Sequence, residues 1–368
     1  NIQKDTITVA GIGDMSGDVF GNGLLCSKTI KLLAAFDHRD IFIDPNPDPK
    51  KSYAERSRMF NLPRSSWEDY DKNLISKGGG VFSRKLKSID LTAEMKILFG
   101  LNDDITSLAP NDLIQAILTS HVDLLWFGGI GTYVKSKSES NGAAGDRAND
   151  AIRINGKDLN CKVIGEGGNL GCTQLGRIEY CLKGGMMNTD AIDNSAGVDC
   201  SDNEVNIKIL LNSIVADGKI TKKKRDALLE EMTDEVAGLV LRDNYLQTQA
   251  ISLTKTSSVL ELDSFERYLD ELERSASLDR ELEFLPNGED LEERAEKSLG
   301  LTRPENAVLI AYAKMALFDS ITDSNLLDDP YLEKFLFRSF PKKLSKNYKN
   351  EIRSHQLRSQ IIAKVLCN

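Results

Sequence analysis

Between Thr6 and Gly17 the chain reads Thr-Ile-Thr-Val-Ala-Gly-Ile-Gly-Asp-Met-Ser-Gly. A β-branched apolar run meets three closely spaced glycines, Gly11, Gly13 and Gly17, and Val19, Phe20, Leu24 and Leu25 then fall on one helical face. Strand, glycine turn and helix in that order commit the start of the chain to an α/β unit. The spacing predicts that Gly11 makes the tight turn and that Gly13 lets the backbone approach an anion. The N-terminus of the following helix would offer its free N–H groups to that anion.

Some two dozen residues on, a second apolar run, Ile30-Lys-Leu-Leu-Ala-Ala-Phe36, ends in Asp37. A carboxylate at that place accepts the hydroxyls of an adenosine ribose, so turn and acid together predict a dinucleotide site. Gly11, Gly13, Asp14, Met15, Ser16 and Asp37 are its candidate residues. The competing reading is a glycine turn in some other α/β protein. Arg39, just past the acid, is able to accept a 2′-phosphate, but a carboxylate repels that group, and NAD is the expected cofactor.

At 368 residues the chain is long for one core, and two domains are expected. The net charge of −9, with no basic run longer than Lys222-Lys-Lys-Arg225, argues against nucleic acid as a partner. That basic run is read as a solvated helix start. No apolar stretch nears the ~18 residues of a membrane span. The six cysteines show no C-x-x-C and no zinc spacing, and the three histidines are scattered. Reduced thiols in a cytoplasmic protein without a metal site are therefore expected. The chain opens without Met or a signal peptide, directly on the fingerprint, which is the expected look of a piece of a longer polypeptide.

Residues 1–202 alternate strand and helix patterns and are read as a Rossmann-like, doubly wound, mostly parallel sheet. In residues 203–368 glycine becomes rare, alternation fades, and apolar residues recur at helical spacing: Ile207, Leu210, Leu211 and Ile214; then Leu228, Leu229, Met232, Val236 and Leu239; then Phe265, Leu269 and Leu272. An all-α second domain is expected there. Gly78-Gly79-Gly80 reads as a flexible joint, Tyr53 to Met59 as a short helix, and Met186 to Ile192 as a last strand.

Four predicted strand ends are rich in Gly or Asn: Gly11 to Gly17, Gly128 to Gly131, Gly165 to Asn169, and Asp193 to Gly197. Ligands of doubly wound sheets sit beyond such ends. A bulky ligand close to backbone explains four of them together; helix-capping glycines are the alternative. Gly129 joins the cofactor candidates from the second of these ends. The amides of Asn169 and Asn194 suit a carboxamide, with ordinary loop capping as the alternative.

At these residues a family is recognisable. Val163-Ile-Gly-Glu-Gly-Gly-Asn169 resembles the Glu-Gly-Ala-Asn strand end of glutamate dehydrogenases, and Asp190-Ala-Ile-Asp-Asn-Ser-Ala-Gly-Val198 with Ser201 resembles their Asp-x-x-x-Asn-Ala-Gly-Gly-Val segment. Gly-Asp-Met-Ser-Gly-Asp-Val-Phe-Gly-Asn-Gly23 and Gly-Leu-Thr-Arg-Pro-Glu305 are similar to the large bacterial NAD-specific members. Asp14 stands where Asn is usual, Ser195 and Ala196 where Ala and Gly are usual, and Pro45 to Leu108 match the small members poorly.

The resemblance implies oxidative deamination of L-glutamate to 2-oxoglutarate and ammonia, with hydride passing to NAD. It implies a homo-oligomer, and catalytic lysines and an acid on a substrate lobe upstream of the fingerprint, so no catalytic residue is expected in this chain and the fragment alone is expected to be inactive. It also implies that Asn169 and Asn194 lie at the nicotinamide and that Val198 and Ser201 line the pocket for the substrate's distal carboxylate. An N-cap for a helix starting near Asn203 is the other reading of Ser201. A dehydrogenase for leucine, phenylalanine or valine, and a non-catalytic dinucleotide-binding regulatory module, are the alternative functions.

Overall fold

The computed structural model describes residues 1–275 and 278–368. Its central sheet has six strands: β1 (Ile7–Ile12), β2 (Ile30–Phe36), β3 (Asp40–Ile43), β4 (Gly80–Ser83), β5 (Leu124–Phe127) and β6 (Val163–Glu166), in spatial order β6-β5-β1-β2-β3-β4. β6, β5, β1 and β2 run parallel, while β3 and β4 close one edge as antiparallel strands. The chain leaves β1 toward β2 on one side and later returns to lay β5 on the other. The carboxyl ends of β1 and β5 therefore flank a topological switch point, the place where sheets of this kind take ligands.

Both faces of the sheet are apolar, which is why helices cover both. On one face Val9, Leu32, Ala35 and Phe42 pack with Phe20 and Leu24 of α1 (Asp18–Leu25) and Met59 of α2 (Pro49–Phe60). On the other, Ala10, Ile12, Phe36, Leu125 and Phe127 pack with Met95 of α3 (Ala93–Phe99) and with Leu113, Ile114, Ile117 and Leu118 of α4 (Pro110–Leu118). Strand alternation sends Val9 one way and Ala10 the other. α5 (Gln174–Leu182), capped by Thr173, follows β6.

The chain divides into two compact units, residues 1–194 with 302–304 and residues 195–301 with 305–368. The change of texture at 203 falls inside α7 (Ser195–Ala216), which follows the one-turn helix α6 (Asp190–Asp193). The second unit is helical. Ile207, Leu210, Leu211 and Ile214 of α7 are buried as one face, in a core shared with Ile352, Ile361 and Ile362. The expected stripe from Leu228 to Leu239 is split between α8 (Lys222–Glu231) and α9 (Thr233–Leu260), because the helix breaks at Met232. Leu269 and Leu272 of α10 (Leu262–Arg274) pack with Leu291 of α11 (Gly288–Glu296) in a further cluster.

Two local expectations need correction. Residues 186–192 form no strand: only Met186 bridges to Val163, and Thr189 leads into α6. Tertiary bonds decide this, since Asp193 accepts from the Glu166 N–H and from the Asn188 side chain. The glycines 78–80 are no loose joint, because Gly80 opens β4 and a Cβ on Gly79 would lie 2.4 Å from the Ile43 carbonyl oxygen. Among the described residues no helix is long and apolar enough to cross a membrane, and no cluster of three His, Cys, Asp or Glu could hold a metal ion. The six cysteines are unbridged.

Candidate functional site

Gly11 does not make the turn. It is still in β1, paired with Ala35 and Trp126, and the left-handed backbone (φ 138°) falls on Gly13. What both positions require is room for one ring. A Cβ on Gly11, Gly13 or Gly128 would lie 2.6–2.7 Å from side-chain atoms of Phe20 in α1. Gly23, Gly165 and Gly167 do the same for the Trp126 indole, at 2.6–2.9 Å. The glycine-rich strand ends are thus first a packing device that brings α1 close against β1 and β5. Packing accounts for Gly11, Gly13, Gly128, Gly165 and Gly167, while Gly17 and Gly197 make no such contact, and the fourth end, Asp193 to Gly197, does not follow a strand.

Close packing of α1 sets the geometry of the turn. The Gly13 N–H donates to the Phe36 carbonyl at 2.7 Å, and the Trp67 indole N–H donates to the Gly13 carbonyl at 3.0 Å. Met15 is fully buried, main chain included, so it packs under the turn and presents nothing to a ligand. Asp14 Oδ1 accepts from the Ser16 N–H at 2.8 Å, the Ser16 hydroxyl at 2.5 Å and the Gly17 N–H at 3.2 Å. Burial works to raise the Asp14 carboxyl, but the Ser16 hydroxyl, the neighbouring Asp37 carboxyl, the Ser16 N–H and the Arg39 charge outweigh it and hold it below the usual range. Gly17 caps α1 without a side chain, and the first-turn N–H groups of an α-helix lack intrahelical acceptors.

Beyond β2, Asp37 Oδ1 accepts from the backbone N–H groups of Arg39 and Asp40 at 2.6 and 2.7 Å. Its Oδ2 is buried and has no hydrogen-bond partner among the described residues. The Arg39 guanidinium lies 3.6 Å from that oxygen and 3.5 Å from Asp14 Oδ2. Arg84 donates to the Asp37 carbonyl at 2.8 Å. Burial pushes the Asp37 carboxyl above its ordinary value, with Asp14 adding to the rise. An unpaired carboxylate oxygen beside a turn is a ready acceptor for hydroxyl donors.

On the other side of the switch point, Gly128 N–H donates to the Ile12 carbonyl and Gly168 N–H to the Phe127 carbonyl, both at 2.9 Å. A Cβ on Gly129 would lie 3.3 Å from the Ile12 carbonyl oxygen, so this loop rests directly on the end of β1. Asn169 and Asn194, 25 residues apart, are joined: the Asn194 amide donates to Asn169 Oδ1 at 2.5 Å. The loop beneath them is held by Glu166, which is wholly buried and paired with Arg177, and by Asp190, which contacts Arg177 at 3.1 Å and accepts the Leu170 N–H at 2.8 Å. Leu170 is kept in the left-handed region (φ 60°) while 66% exposed. Arg303 donates to Asn188 at 2.9 Å within the same unit.

A family model for the bacterial NAD-glutamate dehydrogenase catalytic domain matches residues 1–254. The chain belongs to the bacterial NAD-glutamate dehydrogenase family. A second model, for the glutamate dehydrogenase C-terminal region, matches residues 298–368. Proteins named NAD-specific glutamate dehydrogenase from Halomonas elongata and Pseudomonas aeruginosa are each 53% identical over all 368 residues. One of the same name from Mycobacterium tuberculosis is 51% identical over 370 aligned residues. The chain spans 23% of the length of each of these relatives.

Within this glutamate dehydrogenase segment the remaining candidates lie in the second unit. Val198 and Ser201 are three residues apart on α7, and both are exposed. Ser201 is inside that helix, so it is not an N-cap. Sequence reading missed Arg177 and Arg84. Glu166 and Asp190 were inside the quoted motifs, so their importance was signalled. Trp67 carried no local signal at all.

Proposed function

We propose that this chain supplies the dinucleotide-binding part of an NAD-dependent glutamate dehydrogenase, and that the carboxyl ends of β1, β2, β5 and β6 hold NAD. The observation that carries this is the buried Asp37 Oδ2, which accepts no hydrogen bond among the described residues, next to a glycine turn that ends in an uncapped helix. Asp37 would take the ribose hydroxyls. The first-turn N–H groups of α1, just past Gly17, would meet the diphosphate, with Gly11 and Gly13 giving α1 its close approach and Met15 and Ser16 shaping the turn from inside it. Gly129 would form the floor next to it, and the joined amides of Asn169 and Asn194 would fix a carboxamide. When bound, NAD supplies the hydride acceptor. The chain's own residues bind and orient; none of the candidates is a general acid or base.

The parent polypeptide would oxidise L-glutamate to 2-oxoglutarate and ammonia. Its proton-transfer groups would come from the length outside these 368 residues, with Val198 and Ser201 contributing to the substrate's distal carboxylate. A polar Ser201 supports glutamate over a branched apolar amino acid. A soluble cytoplasmic homo-oligomer, without membrane or nucleic-acid partners, is part of the same reading. Titration of NADH against the parent enzyme and its Asp37→Arg variant tests the site: binding should be lost in the variant, and intact binding refutes the assignment. The isolated 368 residues should show no glutamate-dependent NADH formation, and robust turnover overturns the division of labour.

A further inference from the structure

We propose that Asp14 is a coenzyme-specificity residue: with Asp37 it forms a pair of fixed carboxylates that commits the Arg39 guanidinium and turns away a ribose 2′-phosphate. This deepens, and rests on, the reading of Asp37 as the ribose ligand.

Arg39 and Arg84 both stand at Asp37, with the Arg84 N–H donating to the Arg39 carbonyl at 2.8 Å and its guanidinium to the Asp37 carbonyl. Two arginines at the end of β2 are what a 2′-phosphate would seek. One carboxylate does not settle the matter, because Asp37 and Arg39 alone make a neutral pair that a phosphate can open.

Asp14 changes that balance. Its carboxylate is held by three donors on Oδ1, which leaves Oδ2 directed to Arg39 at 3.5 Å. The side chains of Asp14 and Asp37 are 12% and 5% exposed, whereas Arg39 is 44% exposed. Two poorly hydrated carboxylates thus face one half-exposed cation. A phosphate arriving at the ribose would have to displace both carboxylates from Arg39 and would remain close to their charges, where screening by water is reduced. A ribose hydroxyl meets no such cost, since it donates to Asp37 Oδ2, which accepts no hydrogen bond among the described residues, and leaves Arg39 in place. Asp14 therefore acts through Arg39, from the turn and not from the strand end where the ribose acid sits.

Asn at position 14 retains the Oδ1 acceptor for Ser16 and Gly17 and removes only the charge, so Asp14→Asn is the informative variant. Equilibrium fluorescence titrations of the full-length enzyme with NADH and with NADPH read the effect. In Asp14→Asn the Kd for NADPH should fall about tenfold while that for NADH moves by less than about threefold. Asp14→Glu should restore discrimination, and adding Arg39→Gln to Asp14→Asn should abolish the gain, which a merely structural role of Asp14 would not produce. Unchanged NADPH affinity in a variant that binds NADH normally overturns the proposal. Loss of NADH binding in both Asp14→Asn and Asp14→Ser also overturns it, by making Asp14 a requirement of the turn itself. If instead Asp37→Arg leaves NADH binding intact, the nucleotide site is wrong and not the specificity claim alone.

Discussion

Arg177 Nε and Nη2 donate to the two carboxylate oxygens of Glu166 at 2.7 and 3.0 Å, and neither side chain is more than 6% exposed. The pair sits below Asn169 and also engages Asp190, which carries the strained Leu170. Burial pushes the Glu166 carboxyl up to about 7, with the Arg177 guanidinium pulling the other way. Removing the cation leaves a buried carboxylate unpaired. Arg177→Met should cost about 3–5 kcal/mol in chemical denaturation, and Glu166→Met combined with Arg177→Met should cost less than the single change. A double variant less stable than Arg177→Met would show that Glu166 is held by something other than its partner.

The glycine turn separates packing from ligand approach. Gly11→Ala places a Cβ 2.6 Å from the Phe20 ring, and Gly13→Ala adds an unfavourable φ of 138° to a similar clash. Each should destabilise by about 1–3 kcal/mol, Gly13→Ala the more. Gly17 is different, since its Cβ would meet only the Asp14 carbonyl oxygen at 3.5 Å. Gly17→Ala should shift stability by less than about 0.5 kcal/mol and still weaken NADH binding, as a methyl group at the helix entrance obstructs a diphosphate. Equal loss of stability in all three variants would remove the distinction.

Binding of NADH should depend on pH through Asp37. Its carboxyl is raised by burial, and hydroxyl donors favour its ionised form, so binding expels a proton whenever free Asp37 is protonated. Affinity should therefore strengthen as pH rises through the raised value and level off above it. In Asp37→Asn that acidic limb should vanish along with most of the affinity. Calorimetric titration in buffers of different ionisation enthalpy reads the proton release directly.

His355 makes the second unit sensitive to acid. Nδ1 accepts the Leu357 N–H at 3.0 Å, so Nε2 carries the proton toward the Asn206 carbonyl, also at 3.0 Å. Burial lowers its pKa from the ordinary 6.5. The unfolded chain then binds a proton at a higher pH than the folded one does. This contribution to stability is complete above 6.5 and is lost as pH falls through the folded-state value. Thermal unfolding between pH 7 and 5 should show a decline that His355→Gln flattens.

The residues that speak through local order were legible. The β-branched run before Gly11, the apolar period of α7 and the acid at the end of β2 predicted an α/β half, a helical half and a candidate nucleotide site, because periodicity and turn chemistry act over a few residues. The cause of the glycines was not legible, since Phe20 and Trp126 meet Gly128 and Gly167 only after β5 has crossed to the far side of β1. For the same reason Asp193 turned a predicted strand into a helical turn through a bond to Glu166, 27 residues away. Long-range contacts of this kind carry no mark in the local pattern. Chain order alone determined the strand, turn and helix proposed to face a nucleotide. Folding in three dimensions decided which carboxylates share Arg39, which ring fills the glycine floor and which amide meets Asn169, because each depends on atoms that only the closed sheet brings within bonding distance.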